Sequence, residues 1–238
     1  MNAFRSPAGS PADGRTTLTS HSVASDSPTI DSDALHAYVE GYLTEDDTLA
    51  SARARGVELG CPPISSGGGA ALRFLATALR AKAVVEIGTG AGVSGLYLLR
   101  GMAPDGVLTS IDVEPEHQNA AKRAFADAGI GPGRSRLIMG RALDVLPRLT
   151  EEAYDLLYVD AAKAEYPSYH EQGVRLLRPG GVIAFDSVLW SGRVVNPARR
   201  DAETVALREV ARAVREDDRL VPVLLPLGDG LLIAAKAH

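Results

Sequence analysis

One cysteine, Cys61, stands alone in 238 residues, so no internal disulfide, thiolate metal cluster or CxxC redox pair can form. A buried, inert thiol is its plainest reading. Aromatic residues are scarce at 5%, with a single tryptophan. No apolar run approaches the roughly 20 residues that cross a bilayer, and the N-terminus lacks the apolar stretch of a secretion signal. A cytoplasmic protein with no membrane partner is therefore expected. A basic surplus is missing too: 25 Lys and Arg against 30 Asp and Glu leave a net charge of −5. That balance argues against a general nucleic-acid binder, because phosphate contacts need a basic surface. What is present is 45% hydrophobic residues at a mean hydropathy near zero, enough to bury the core of one α/β domain.

Residues 1–30 are rich in Ser, Thr, Pro, Gly and Asp, a composition that cannot offset the entropy of ordering, so a disordered tail is expected there. Residues 31–238 form the expected domain, which opens with helices. Leu35, Tyr38, Val39 and Tyr42 recur at the spacing of an amphipathic stripe. Thr44 with Asp47 resembles a capping box for a second helix through Arg55. CPPISSGGG, from Cys61 to Gly69, is a breaker before a helix with Leu72, Leu75, Ala76 and Leu79 on one face.

From Val84 onward strands and helices alternate, the pattern of a parallel sheet with crossover helices. Pro115 opens a helix that Gly129 closes, with Ala121, Ala124, Phe125 and Ala128 inward. SRLIMG and YDLLYVD are the next strands, HEQGVRLLRPGG closes a helix, and VIAFD is a fifth strand. A helix marked by Val205, Leu207, Val210, Ala211 and Val214 precedes LVPVLLP and LLIAAK. The GDG between those two runs signals a hairpin, so the last strand should be antiparallel. His117 and His170, both in helical patterns, read as surface residues.

The chemistry centres on VVEIGTGAGVS, Val84 to Ser94, a buried strand ending in an acid and three alternate glycines before an apolar helix. Glycines permit a sharp turn and close approach of a ligand, and the helix start offers unpaired N–H groups to an anion. A dinucleotide fingerprint is GxGxxG, whereas this chain has GxGxG with Glu86 two positions earlier. That variant fits S-adenosylmethionine better, with its carboxylate at the helix start and Ser94, and its cationic end near Glu86. Roughly twenty residues past Gly90, strand VLTSI ends in Asp112, placed to accept ribose hydroxyls. Asp160 ends YDLLYVD and Asp186 ends GVIAFD. Two carboxylates at neighbouring strand ends call for a positive charge between them, and Mg²⁺ or another hard divalent cation is a natural candidate. Turn capping or arginine pairing is the structural alternative. Lys163, three residues after Asp160, can swing into the same mouth.

Together EIGTGAGVS, IDVEPEH, GRALDVLPRL, YVDAAKAEY, LLRPGGVIAFDSVLWSGRV and GDGLLIAAK resemble the cation-dependent O-methyltransferases, the catechol and caffeoyl-CoA group with its small bacterial relatives. The resemblance spans about Ile64 to the C-terminus. It implies a class I methyltransferase fold: a Rossmann-like doubly wound sheet of seven strands, helices on both faces, the last strand antiparallel. It also implies a homodimer and a small hydroxylated, catechol-like aromatic substrate. Carried over by position, Ile64, Glu86, Gly88, Thr89, Gly90, Ser94, Asp112, Val113, Ala142, Asp160 and Ala162 become cofactor contacts. Asp160, Asp186 and Ser187 become metal ligands, and Lys163, beside Asp160, the catalytic base. The pattern departs twice: Ser187 stands where the family usually has asparagine, and Ala162 where it often has an acid. An S-adenosylmethionine-binding protein without catechol methylation and a nicotinamide-dependent dehydrogenase are the competing readings; the second lacks a YxxxK pair.

Overall fold

The polypeptide alternates strand and helix as soon as its apolar runs shorten to strand length, and a computed structural model describes residues 31–238. The tail expected over residues 1–30 lies outside the described residues. Three helices come first: α1 (Ser32–Glu40), α2 (Asp47–Glu58) and α3 (Ser66–Ala78). The cap of α2 is Asp46, whose carboxylate accepts from the Leu49 N–H, and the helix runs to Glu58. Thr44 is thus not the cap, because Asp46 sits three residues before the orphan N–H that a cap must reach.

The sheet comprises β1 (Ala83–Ile87), β2 (Val107–Asp112), β3 (Ser135–Met139), β4 (Tyr154–Val159), β5 (Leu177–Phe185), β6 (Leu220–Leu225) and β7 (Leu231–Lys236). Their order is β3-β2-β1-β4-β5-β7-β6, and β7 runs antiparallel to both its neighbours. This is the seven-stranded class I methyltransferase architecture expected. Helices α4 (Val93–Gly101), α5 (Pro115–Asp127), α6 (Ala142–Val145), α7 (Tyr166–Leu176) and α8 (Ala202–Glu216) make the crossovers.

Alternation along each strand sends its residues to two separate cores. Val84, Leu108, Leu156 and Ala184 pack with α2 to α5, whereas Val85, Ile87, Leu157 and Phe185 pack with α6 to α8. One helix boundary and one inward stripe differ from the pattern reading. Helix α7 stops at Leu176, and the RPGG that follows lies within β5, where Tyr154 still pairs with Leu177 across a register shift. In α8 the buried positions are Thr204, Ala206, Leu207, Val210 and Val214, while Val205 is exposed, since Thr204 rather than Val205 continues the inward stripe.

The chain leaves β1 for β2 and β3 on one side, then returns to β4 and β5 on the other. Such a switch point opens a crevice beyond the carboxyl ends of the strands. Register makes that edge level: Ile87 pairs with Ile111 and Val159, and Val159 with Phe185. Gly88, Asp112, Asp160 and Asp186 are each the next residue on their strand and so stand in one row.

Candidate active site

A cavity of about 400 Å³ fills the crevice above this row. Its floor is the turn after β1. Gly88, at φ 93°, has the Asp160 backbone carbonyl where a Cβ would stand, so no other residue fits there without moving β4. Gly92, at φ 88°, caps α4 without any side-chain hydrogen bond, leaving the first N–H groups of that helix to the cavity. Those groups and the helix dipole form an anion-binding end.

Asp112 stands at the next strand tip. Its Oδ2 accepts from the Thr89 and Gly90 N–H groups at 2.9 and 3.0 Å, and its Oδ1 from the Glu114 N–H at 2.9 Å. The carboxylate is thereby fixed, and the lone pair that remains on Oδ1 is available to a ligand hydroxyl. His117 completes the arrangement with Nδ1 3.3 Å from Oδ2. It is partly exposed, and its inner face lines the cavity, where periodicity predicts only a surface residue. His170 is buried, facing Asp217 on the far side of the sheet. Its helix turns it toward α8, which periodicity alone did not reveal.

Ile64, Gly88, Thr89, Gly90, Ser94, Asp112, Val113, Ala142, Asp160 and Ala162 all line the cavity, as their positions implied. Glu86 does not. It is wholly buried behind the wall, its two oxygens accepting from Ser94 Oγ at 2.6 Å and Ser110 Oγ at 2.5 Å. Thr89 Oγ1 joins the same chain 2.7 Å from Ser110 Oγ. Burial pushes the Glu86 carboxyl up to about 7, against the pull of the two seryl hydroxyls. Its contact with a ligand therefore runs through Ser94, which does face the cavity. Ser110 was missed in the sequence; the signal was a polar residue two positions before Asp112 inside a buried strand. On the cavity rim, Glu165 links Arg141, at 3.0 Å, to Tyr169, at 2.5 Å, and none of the three was foreseen.

Beside Asp160 the wall is chemically richer. Lys163 is 9% exposed, and its ammonium donates to Asp160 Oδ1 at 2.7 Å and to the Tyr166 hydroxyl at 2.6 Å. The Tyr166 hydroxyl reaches the Asp186 carbonyl at 3.0 Å. Asp186 accepts from the Ser187 N–H at 2.7 Å and the Tyr158 hydroxyl at 3.0 Å, and burial, then the neighbouring Asp160 charge, pushes its carboxyl up. Tyr158 and Tyr166, both fully buried, look in sequence like ordinary core aromatics.

This donor set does not fit the divalent cation that the resemblance implied. Among the described residues no three His, Cys, Asp or Glu converge as a metal site. Both Asp186 oxygens already accept hydrogen bonds, Ser187 offers only a short hydroxyl, and an ammonium occupies one face of Asp160. A hard cation takes about six or more oxygens, some of them water, and an ammonium held against one of its carboxylates opposes it by charge. As they stand, Asp160, Asp186 and Ser187 are a poor shell for such a cation.

The fold and this crevice define a nucleotide-cofactor enzyme of the class I methyltransferase type. Comparison with known proteins makes the class specific. The family described as O-methyltransferase matches residues 45–237. A Mycolicibacterium vanbaalenii protein, provisionally named an O-methyltransferase, is 55% identical over 204 residues, covering 86% of this chain and 90% of its own. A Corynebacterium glutamicum crystal structure superposes with a TM-score of 0.81 at 33% identity, covering 87% of this chain and 97% of the other. The O-methyltransferase TomG of Streptomyces achromogenes, involved in tomaymycin synthesis and solved with S-adenosylmethionine, gives 0.78 at 29% identity, with coverage of 86% and 96%. This chain belongs to the O-methyltransferase family.

Proposed function

We propose that the protein uses S-adenosylmethionine to methylate a hydroxyl of a small, catechol-like aromatic compound. The observation that carries the reading is the continuous cavity joining an anion-binding helix start, a fixed carboxylate at Asp112 and Asp160, which Lys163 pairs with from behind. The cofactor supplies an electrophilic methyl group on a sulfonium. Everything else falls to the chain. The N–H groups at the start of α4 hold the methionine carboxylate, Ser94 Oγ, whose proton goes to Glu86, accepts from the methionine ammonium, Asp112 accepts from the ribose, and Val113, Ala142 and Ala162 flank the adenine. The nicotinamide alternative has no support in this arrangement, since the turn lacks the GxGxxG spacing on which pyrophosphate rests.

Trp190 shapes the acceptor side. Its ring lies 5.9 Å from Lys163 Nζ and 5.6 Å from the Arg193 guanidinium, a flat surface beside a positive charge. A phenol stacked on that ring brings its oxygen to Lys163 and Asp160. Positioning two reactants in this way can remove on the order of 7 to 11 kcal/mol of barrier. Transfer of labelled methyl groups to a panel of catechols and single phenols tests the reading. Binding of S-adenosylhomocysteine with no transfer to any of them would instead establish the silent-binder alternative.

A second copy of the chain covers α1 in this reading. That helix buries none of its own residues, and Leu35, Tyr38, Tyr42 and Leu43 are 54–74% exposed. Glu40 pins its end, accepting from Ser65 Oγ, the Gly67 N–H and the Gly228 N–H, so the apolar stripe is held outward. Light scattering on the intact protein should report a dimer.

A further inference from the structure

Lys163 has fewer freedoms than a surface lysine. It follows β4 on a single helical turn, packs its ammonium 4.8 Å from the Tyr166 ring, and spends two of its three N–H bonds on Asp160 and Tyr166. Tyr166 is itself immobile, fully buried against Phe185 and Tyr169 and anchored to the Asp186 carbonyl. One N–H has no partner among the described residues, while Asp160, which takes another, lines the cavity. The group is thus a positive charge fixed in place against Asp160, one residue behind the cavity wall, beside carboxylates already engaged by hydrogen bonds.

We propose that methyl transfer in this protein proceeds without a divalent cation, and that the Lys163 ammonium, clamped by Asp160 and Tyr166, binds the acceptor oxygen and holds it as the phenolate. The inference rests on the O-methylation reading above and adds how its acceptor is activated. The phenol releases its proton to water on binding. An oxygen lone pair then forms the bond to the methyl carbon, and the carbon–sulfur pair returns to sulfur, giving a neutral ether and a neutral thioether. Lysine keeps its proton throughout and acts as a charge. Asp160 and Tyr166 are positioning residues, since they touch the ammonium and fix its direction. A divalent cation serves the same purpose in chemical terms, lowering the pKa of an oxygen it contacts. A single charge in hydrogen-bond contact can do so by about 1 to 3 pH units.

Two measurements on the full chain with S-adenosylhomocysteine bound decide the matter. The first follows Mn²⁺ binding by electron paramagnetic resonance. No saturable site is expected below about millimolar metal, the range of weak oxygen sites; tight one-to-one binding that Asp160→Asn removes overturns the proposal. The second titrates bound 4-nitrocatechol by its absorption. Its ionisation should move down by about one pH unit or more relative to free nitrocatechol, unaltered by EDTA. The shift should persist in Lys163→Arg, which keeps the charge and cannot serve as a base, shrink in Tyr166→Phe, and vanish in Lys163→Met. A shift that EDTA abolishes, or that survives Lys163→Met, overturns the proposal, as does nitrocatechol that fails to bind. Thermal melting of each variant separates loss of charge from loss of fold. Methyl transfer that demands added Mn²⁺ leaves the proposed function standing and removes only this inference, whereas absence of transfer to every phenol removes the function itself.

Discussion

Replacing Glu86 by glutamine should make the protein more stable at alkaline pH and a poorer cofactor binder. Glu86 is wholly buried, and its carboxyl is pushed from the ordinary 4.5 up to about 7. A group whose folded pKa is raised contributes stability that is full below the unfolded value and is lost as pH rises through the folded one. At about 1.4 kcal/mol per pH unit, the displacement from 4.5 to about 7 corresponds to roughly 3 kcal/mol lost by pH 8, of which about 2 kcal/mol disappears between roughly pH 5.5 and 8. Glutamine is nearly isosteric, never ionises, and can still meet the Ser94 and Ser110 hydroxyls, which accept as well as donate. Thermal unfolding of cofactor-free protein is the assay. The gap in Tm between Glu86→Gln and wild type should widen by about 4 to 8 °C from the lower to the higher pH, using 2 to 4 °C per kcal/mol for a chain of this size. A gap that stays constant with pH would refute the claim that burial of this carboxyl, rather than packing, sets the difference. Calorimetry completes the test: S-adenosylmethionine should bind about tenfold more weakly to the variant, because the ionised Glu86 takes the Ser94 hydroxyl proton and makes that oxygen a stronger acceptor for the ligand's ammonium.

Other expectations follow from the same geometry. Asp112→Asn should weaken S-adenosylhomocysteine by about tenfold to a hundredfold in a binding titration, since a charged acceptor contributes about 1.5 to 3 kcal/mol; an unchanged affinity would place the ribose elsewhere. Gly88→Ala should cost more than about 1 to 3 kcal/mol in denaturant melts, the usual cost of positive φ, because its Cβ also meets the Asp160 carbonyl. Burial holds the His170 imidazole below its ordinary range, so the unfolded chain binds more protons and stability should fall as pH drops through about 6.5. His170→Gln should flatten that acid limb of the melting profile. The paired change Tyr38→Ser and Tyr42→Ser should leave the melting temperature of the monomer nearly unaltered while shifting light scattering from dimer to monomer.

Much of this site was legible in the chain because its backbone demands are local. Alternate glycines after a buried strand impose a turn, acids at strand ends stay at strand ends whatever the neighbours do, and strand–helix alternation forces parallel pairing. Those rules place Gly88, Thr89, Gly90, Asp112 and Asp160 on one cavity. The GDG turn likewise foretold the antiparallel β7, since a tight loop can only reverse the chain.

What the chain could not disclose depends on pairs distant in sequence. Whether Glu86 faced a ligand or Ser110 was decided by the register of β1 against β2, which sets Glu86 opposite Ser110. Whether His117 and His170 met water or protein depended on the rotation of α5 and α7, and amphipathic periodicity fixes a stripe without saying what covers its edge. The metal question turned on the same kind of fact. Sequence offered Asp160, Asp186 and Ser187 as three donors; only the folded chain showed Tyr158, the Ser187 N–H and Lys163 already bound to the carboxylates, because hydrogen bonds and charge pairs are formed by neighbours in space.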